Sequence, residues 1–327
     1  MKKLLLGLIT LFVFYCVYWA TGRSMMLNNL TQSIQTLEAQ GYDVEHKGLS
    51  AGGFPILFRS SLNEPGVVSP RSIDKPWSIK ADKIVMQAST FNPLHWSATH
   101  RGEARIDLRG PKGERWLFDA RPFSVNLDTR AKFGGDIKSV KADISRLKVQ
   151  AVIGTLPPIV GLDQGQIDIK PQAGDLRHHI SLDSIFLEKD TLTKWQTALG
   201  PKIESFYAVI LAKGLTSLNQ DDRKAWAKSG RYVGESWSLS WNDNIFTGDF
   251  DLTQTPSGLN GSLRAEIENL PDIIDQFAKA GMFTPQQVSA LRIGSRFLPV
   301  NDNGRQDITF NFKDGYLILF GQRLHKF

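Results

Sequence analysis

The chain has 327 residues, 41% hydrophobic and 22% charged, with a formal net charge of +6. That apolar content suits one large or two modest folded domains and excludes a disordered chain. Acidic and basic residues mix without a like-charged run, which gives no support to nucleic-acid binding and leaves a modest attraction to anionic membrane surfaces.

Lys2 and Lys3 precede Leu4 to Ala20, a stretch of 17 residues without charge. As a helix it spans about 26 Å at 1.5 Å per residue, slightly short of a hydrocarbon core of roughly 30 Å. Tyr15, Tyr18 and Trp19 cluster near its far end, where amphipathic rings favour the membrane interface. A cleavage site needs small residues, and Tyr18-Trp19-Ala20 and Tyr15-Cys16 both offer bulky ones. The expectation is therefore an uncleaved transmembrane signal anchor over residues 1–22 and a β-rich body over 23–327. Two lysines before the span against Arg23 after it place the N-terminus in the cytoplasm and the body in the periplasm, on the inner membrane. Cys16, inside the anchor, is the only cysteine, so the body has no disulfide, thiolate nucleophile or cysteine metal site.

Residues 24–40 carry Leu27, Leu30, Ile34 and Leu37 on one helical stripe, closed by Gly41. The period then changes to two. Trp77, Ile79 and Ala81 alternate with polar residues, and Ile84, Met86 and Ala88 continue after a slip at Lys83. Further strands are read at Ala104–Leu108, Trp116–Phe118 and Phe123–Leu127. Others follow at Val140–Leu147 with one slip, Ile167–Ile169 and Ile180–Leu187. Strands separated by Gly, Pro and Asp turns, without helices between them, predict antiparallel meanders.

Asp190 is read as the cap of a short helix with Leu192, Trp195 and Leu199 on one face, and residues 219–228 as a polar helix around Trp226. Strands return at Phe206–Ile210, Trp237–Trp241, Phe246–Leu252 and Leu263–Ile267. Ile273, Ile274, Phe277 and Ala280 form a helical stripe broken at Gly281, and Thr284-Pro285 starts a second helix as N-cap and first helical residue. Ile308, Phe310 and Phe312, then Asp314-Gly315, then Tyr316, Ile318 and Phe320 spell a hairpin. The fold class expected is mainly β (α+β): curved antiparallel sheets or a groove, a few covering helices and one transmembrane helix. An echo of Trp77-Ser-Ile-Lys in Trp237-Ser-Leu-Ser suggests pseudo-repeat halves at 42–189 and 200–327.

Gly48-x-Ser50-x-Gly52 has the spelling of a hydrolase nucleophile elbow, which needs a strand, a sharp turn and then a helix. Gly52-Gly53 and Pro55 oppose that helix, and Phe54 to Ser60 reads as a strand. The expectation is a structural turn at Gly52, Gly53, Phe54 and Pro55, and a serine hydrolase is the least favoured function. His178 and His179 are adjacent in a strand and point to opposite faces, so they cannot share a metal. His46, His95, His100 and His325 are isolated, the carboxylates are scattered, and neither phosphate-binding glycine motif occurs. No enzyme, cofactor or metal is expected.

The chain carries eight tryptophans and nineteen phenylalanines, most of them in the body. They fill an ordinary sandwich core or line an apolar face left partly open to acyl chains. The residues for such a face are Trp77, Ile79, Trp237, Leu239 and Trp241.

The anchor, Gly52-Gly53-Phe54-Pro55-Ile56, the Trp-rich strand 237–241, Pro256-Ser-Gly-Leu-Asn-Gly261, the helical pair and Asp314-Gly-Tyr-Leu-Ile-Leu319 form an ordered series. That series resembles a Gram-negative envelope family known as a domain of unknown function. Its late part is loosely similar to the AsmA-like envelope proteins. The resemblance implies an anchored, β-rich envelope protein without catalytic residues. Lys228-Ser229-Gly230 departs from the Gly-Gly pair expected there. Residues and resemblance together lead to a non-enzymatic binder of lipid or another apolar envelope molecule. The alternative is a structural or assembly module that contacts envelope proteins.

Overall fold

A computed structural model describes residues 2–73, 75–110, 112–120, 123–129, 137–189, 193–216, 226–319 and 322–326. Strands hold 55% of the chain and helices 22%, and the strand pairings described are antiparallel, so the mainly-β expectation holds. The chain divides into two compact units: residues 1–145 with 150–154, and residues 146–149 with 155–327. The division falls within one long strand, Ile137–Ile153.

Unit 1 begins with α1 (Lys2–Ala39). The sequence separates an anchor from a following helix, but the two are one uninterrupted helix. An isolated glycine costs a helix only about 1 kcal/mol relative to alanine, which does not break it at Gly22. The sheet that follows contains β1 (Asp43–Glu45), β2 (Gly48–Gly52), β3 (Leu57–Asn63), β4 (Gly66–Val68) and β5 (Ser78–Ser89). It continues with β6 (Asn92–Arg109), β7 (Arg115–Ala120), β8 (Phe123–Thr129) and β9 (Ile137–Ile153). One register, from Asp43↔Val68 to Gly52↔Arg59, joins β1–β4 into a single long hairpin. Its tip is residues 53–56, closed by Leu57 N–H donating to Gly53 O at 2.9 Å. The strand expected from Phe54 thus starts at Leu57, because the turn, with Gly53 at φ 102, occupies residues 53–56. β5 takes β3 and β4 on one edge and β6 on the other. β6 in turn carries β7 and β8, and β8 pairs with β9. The slip in alternation at Lys83 coincides with a register shift between Ala81 and Lys83, opposite Gly102 (φ 96). The slip within β9 coincides with Arg146, at φ 54.

Unit 2 is a consecutive meander. It runs through β10 (Ile159–Gln172), β11 (Asp175–Leu187), α2 (Thr193–Leu199), β12 (Lys202–Lys213), β13 (Arg231–Trp241) and β14 (Asn244–Thr255). It ends with β15 (Gly258–Ile267), α3 (Leu270–Lys279), α4 (Pro285–Ser295), β16 (Gln306–Lys313), β17 (Tyr316–Leu319) and β18 (Gln322–Lys326). Each strand pairs with the next. Thr284 caps α4 in a full capping box with Gln287, and Pro285 opens it. Asp314 (φ 54) and Gly315 (φ 77) supply the positive backbone angles of the two-residue turn expected between β16 and β17. Asp190, Leu192, most of the 219–228 segment and Phe320 lie outside the described residues.

Candidate functional site

The apolar end of α1 and two turns of the unit 1 sheet come together. The helix packs on β1, β2 and β3, and Phe12 sets its ring edge-on to Phe54 of the turn at 6.5 Å. Trp19 sets its ring edge-on to Phe54 at 5.3 Å, and Tyr18 its ring edge-on to Phe58 at 5.8 Å. Phe58, at 2% exposure, lies against Gly22, where a Cβ would fall 2.6 Å from its ring. That contact is the physical reason for a glycine within the helix.

Polar atoms of α1 reach the same turns. The Tyr15 hydroxyl donates to Pro55 O and lies 2.9 Å from Thr90 Oγ1. Tyr18 Oη donates to Thr90 O and Trp19 Nε1 to Leu57 O, each at 2.9 Å. Arg23 Nε donates to Ala51 O at 3.2 Å. Of the residues expected to form the turn, Gly53, Phe54 and Pro55 lie in the tip that docks the helix, whereas Gly52 is the last residue of β2, paired with Arg59. The docking partners were not legible, because 28 to 75 residues separate each donor from its acceptor.

Ser50 stands in β2, not at an elbow. Its Oγ is 2.8 Å from Ser61 Oγ directly across the hairpin, and a strand rather than a helix follows the turn. Among the described residues, no group of three His, Cys, Asp or Glu is arranged to hold a metal ion. Burial lowers the pKa of His178 below the ordinary imidazole value.

The apolar face resolves into two different settings. In unit 1 the register aligns Val44, Val67, Ile79, Ile106 and Phe118 directly across five strands, so they share one face. Leu108 and Trp116 form the neighbouring rung. Ile79 is 42% exposed, and Ile106 and Phe118 are half-buried. Among the described residues α1 is the only helix of this unit. Trp77 rests on Tyr42, just beyond α1, with ring centres 5.9 Å apart. The opposite face of the same strands is charged: Arg105 Nε donates to Asp119 at 2.9 Å, and Arg115 Nε to Asp107 Oδ2 at 2.8 Å. Asp107 raises the Arg115 pKa, first through that hydrogen bond and then through its charge.

In unit 2, Trp237, Leu239 and Trp241 are covered by the protein itself. Trp241 is 7% exposed, donates Nε1 to Gly200 O at 2.9 Å and stacks on Trp195 of α2. Leu239 packs against the buried cluster that holds Leu187, Leu199 and Trp241, and Trp237 against the one that holds Ile273, Ile274 and Ile308. Alternation identified the face correctly, but it cannot tell a ligand from a covering helix.

Fold and site define an antiparallel β-sheet protein with one N-terminal helix long and apolar enough to span a membrane. The chain belongs to a family described as an uncharacterized protein conserved in bacteria (DUF2125), whose model matches residues 19–324. No curated protein and no solved structure matches the chain.

Proposed function

We propose that the chain is a single-pass, inner-membrane protein whose periplasmic body binds lipid or another acyl-chain molecule without catalysing a reaction. The observation that carries this is the half-exposed row Val44–Val67–Ile79–Ile106–Phe118, on the same unit that docks the apolar helix. An apolar strip of this kind, in the unit that carries the apolar helix, suits a hydrocarbon chain better than a polar solute. The cross-strand partner of Ser50 supports a non-enzymatic reading. The row also agrees with the loose AsmA-like resemblance.

Native mass spectrometry of the detergent-extracted full chain is expected to find bound lipid. Ile79→Lys with Ile106→Lys places two ammonium groups on the row and is expected to reduce retention by about tenfold or more, since desolvating one charge exceeds 1.4 kcal/mol. Retention unchanged in a folded double variant overturns the assignment.

A second reading, an assembly module, draws on Ile293, Phe297 and Val300, all exposed around the end of α4. In that case photo-cross-linking in cells from position 297 yields protein adducts, and lipid retention does not respond to Ile79→Lys.

A further inference from the structure

We infer that the two turns beside α1, residues 53–56 and 90–91, are seated in the bilayer together with the helix, in the leaflet nearer the body. The inference rests on α1 being a membrane span, and extends it from a tether to a composite membrane-embedded surface.

Length is the first argument. Phe12 is the first α1 residue with a ring contact to the turns, edge-on to Phe54 at 6.5 Å. Leu4 to Leu11 covers about 12 Å at 1.5 Å per residue, under half a hydrocarbon core of about 30 Å. Spanning therefore uses Phe12 to Ala20 as well. Those residues bear the contacts to Phe54, Phe58 and Phe91: Tyr15 lies 6.4 Å from the Phe54 ring and stacks on Phe91 at 6.4 Å. Lipid that reaches Trp19 reaches the turns.

The turns have the composition that lipid requires. Gly53 to Phe58 and Ser89 to Leu94 contain no charged residue. Their large side chains point outward, with Phe91 80% exposed, Ile56 59% and Phe54 47%. Water gives such residues no reason to cluster at two adjacent tips, whereas a bilayer does.

Backbone satisfaction is the most specific argument. A turn in lipid must have its carbonyls paired within the protein. Here Leu57 N–H pairs Gly53 O, the Tyr15 hydroxyl pairs Pro55 O, and Thr90 N–H pairs Ile56 O at 3.1 Å. Trp19 pairs Leu57 O and Tyr18 pairs Thr90 O. Three ring donors of the helix thus supply what water would supply at an ordinary surface turn. One level farther from the tip, Arg23 meets Ala51 O and Arg59 meets Gln87 Oε1 at 3.2 Å, two cations at the height of lipid phosphates.

Depth-resolved fluorescence tests this on the full chain with Cys16→Ala as background. Single cysteines at Ile56→Cys, Phe91→Cys, Val13→Cys and Lys112→Cys are labelled with an environment-sensitive dye. The protein is reconstituted in phosphatidylethanolamine–phosphatidylglycerol vesicles. Labels at 56 and 91 are expected to be quenched by nitroxide lipid, as at 13. Aqueous iodide quenching there should fall about fivefold below that at 112, as for groups about 5–10 Å below the surface. Labels at 56 and 91 as open to iodide as 112, with 13 in lipid, overturn the inference and leave the span intact. Labels shielded from both quenchers indicate a protein cover and also overturn it. A water-exposed label at 13 removes the membrane span itself, and the inference with it.

Discussion

Gly261→Ala is expected to destabilise unit 2 by about 3 kcal/mol or more, at the upper end of overpacking costs. Gly261 has φ 135, and an added Cβ would lie 2.0 Å from Asp251 O and 3.1 Å from Leu252 Cα. Both obstacles are backbone atoms of β14, so no rotamer change relieves them. The residue sits between Leu252 and Phe312, inside a sheet paired on both sides, and cannot drift outward. Gly304→Ala is the control: φ is 76, but nothing lies within 4 Å of the new Cβ, leaving only the left-handed penalty of about 1–2 kcal/mol. Urea denaturation of the two variants in one detergent decides it. Equal losses would mean that the interstrand clash is absent.

That glycine belongs to a larger arrangement which explains part of the motif series. Asp314 N–H donates to Asn260 Oδ1 at 3.0 Å, Ser257 Oγ to Asp314 Oδ1 at 2.8 Å, and Gly315 N–H to Leu259 O at 3.0 Å. A Cβ on Gly258 would meet Gly315 at 2.7 Å. The Pro-Ser-Gly-Leu-Asn-Gly turn and the Asp-Gly turn thus lock into one another. Their residues answer to packing and turn geometry, which is why they carried a family resemblance without carrying a site.

Regular alternation made much of unit 2 legible: Trp237, Leu239 and Trp241 do share a face, and Asp314-Gly315 does turn a hairpin. Even the irregularities at Lys83 and Arg146 were visible, because a bulge or left-handed residue leaves a one-residue slip in the apolar pattern. β1 and β2 were not legible. DVE and GLSAG are short and carry little apolar alternation, so long-range pairing with β4 and β3 determines them. The docking surface was half legible. Hydropathy singled out Tyr15, Tyr18 and Trp19 as interfacial rings, but their hydroxyl and indole donors find acceptors on turns far along the chain. Contacts between distant segments leave no local period to read.

Phe58 and Gly22 test that docking surface through a reversal of sign. Phe58→Ala removes a fully buried ring and is expected to cost about 3–5 kcal/mol. It also removes the edge contact to Tyr18, so faster hydrogen exchange should appear in β2 and β3 as well as at the helix. In the natural background Gly22→Ala drives a Cβ to 2.6 Å from Phe58 Cε1 and Cζ, in a ring that is 2% exposed. A loss of about 1–3 kcal/mol follows from overpacking. With Phe58→Ala already in place the obstacle is gone, and the same substitution should stabilise by up to about 1 kcal/mol through helix propensity. The coupling between the two positions is then about 1–4 kcal/mol, within or slightly above the range for residues in direct contact. A double-mutant cycle in detergent measures it. If Gly22→Ala has the same sign in both backgrounds, the helix does not rest on Phe58, and the seating of the turns beside α1 loses its structural basis.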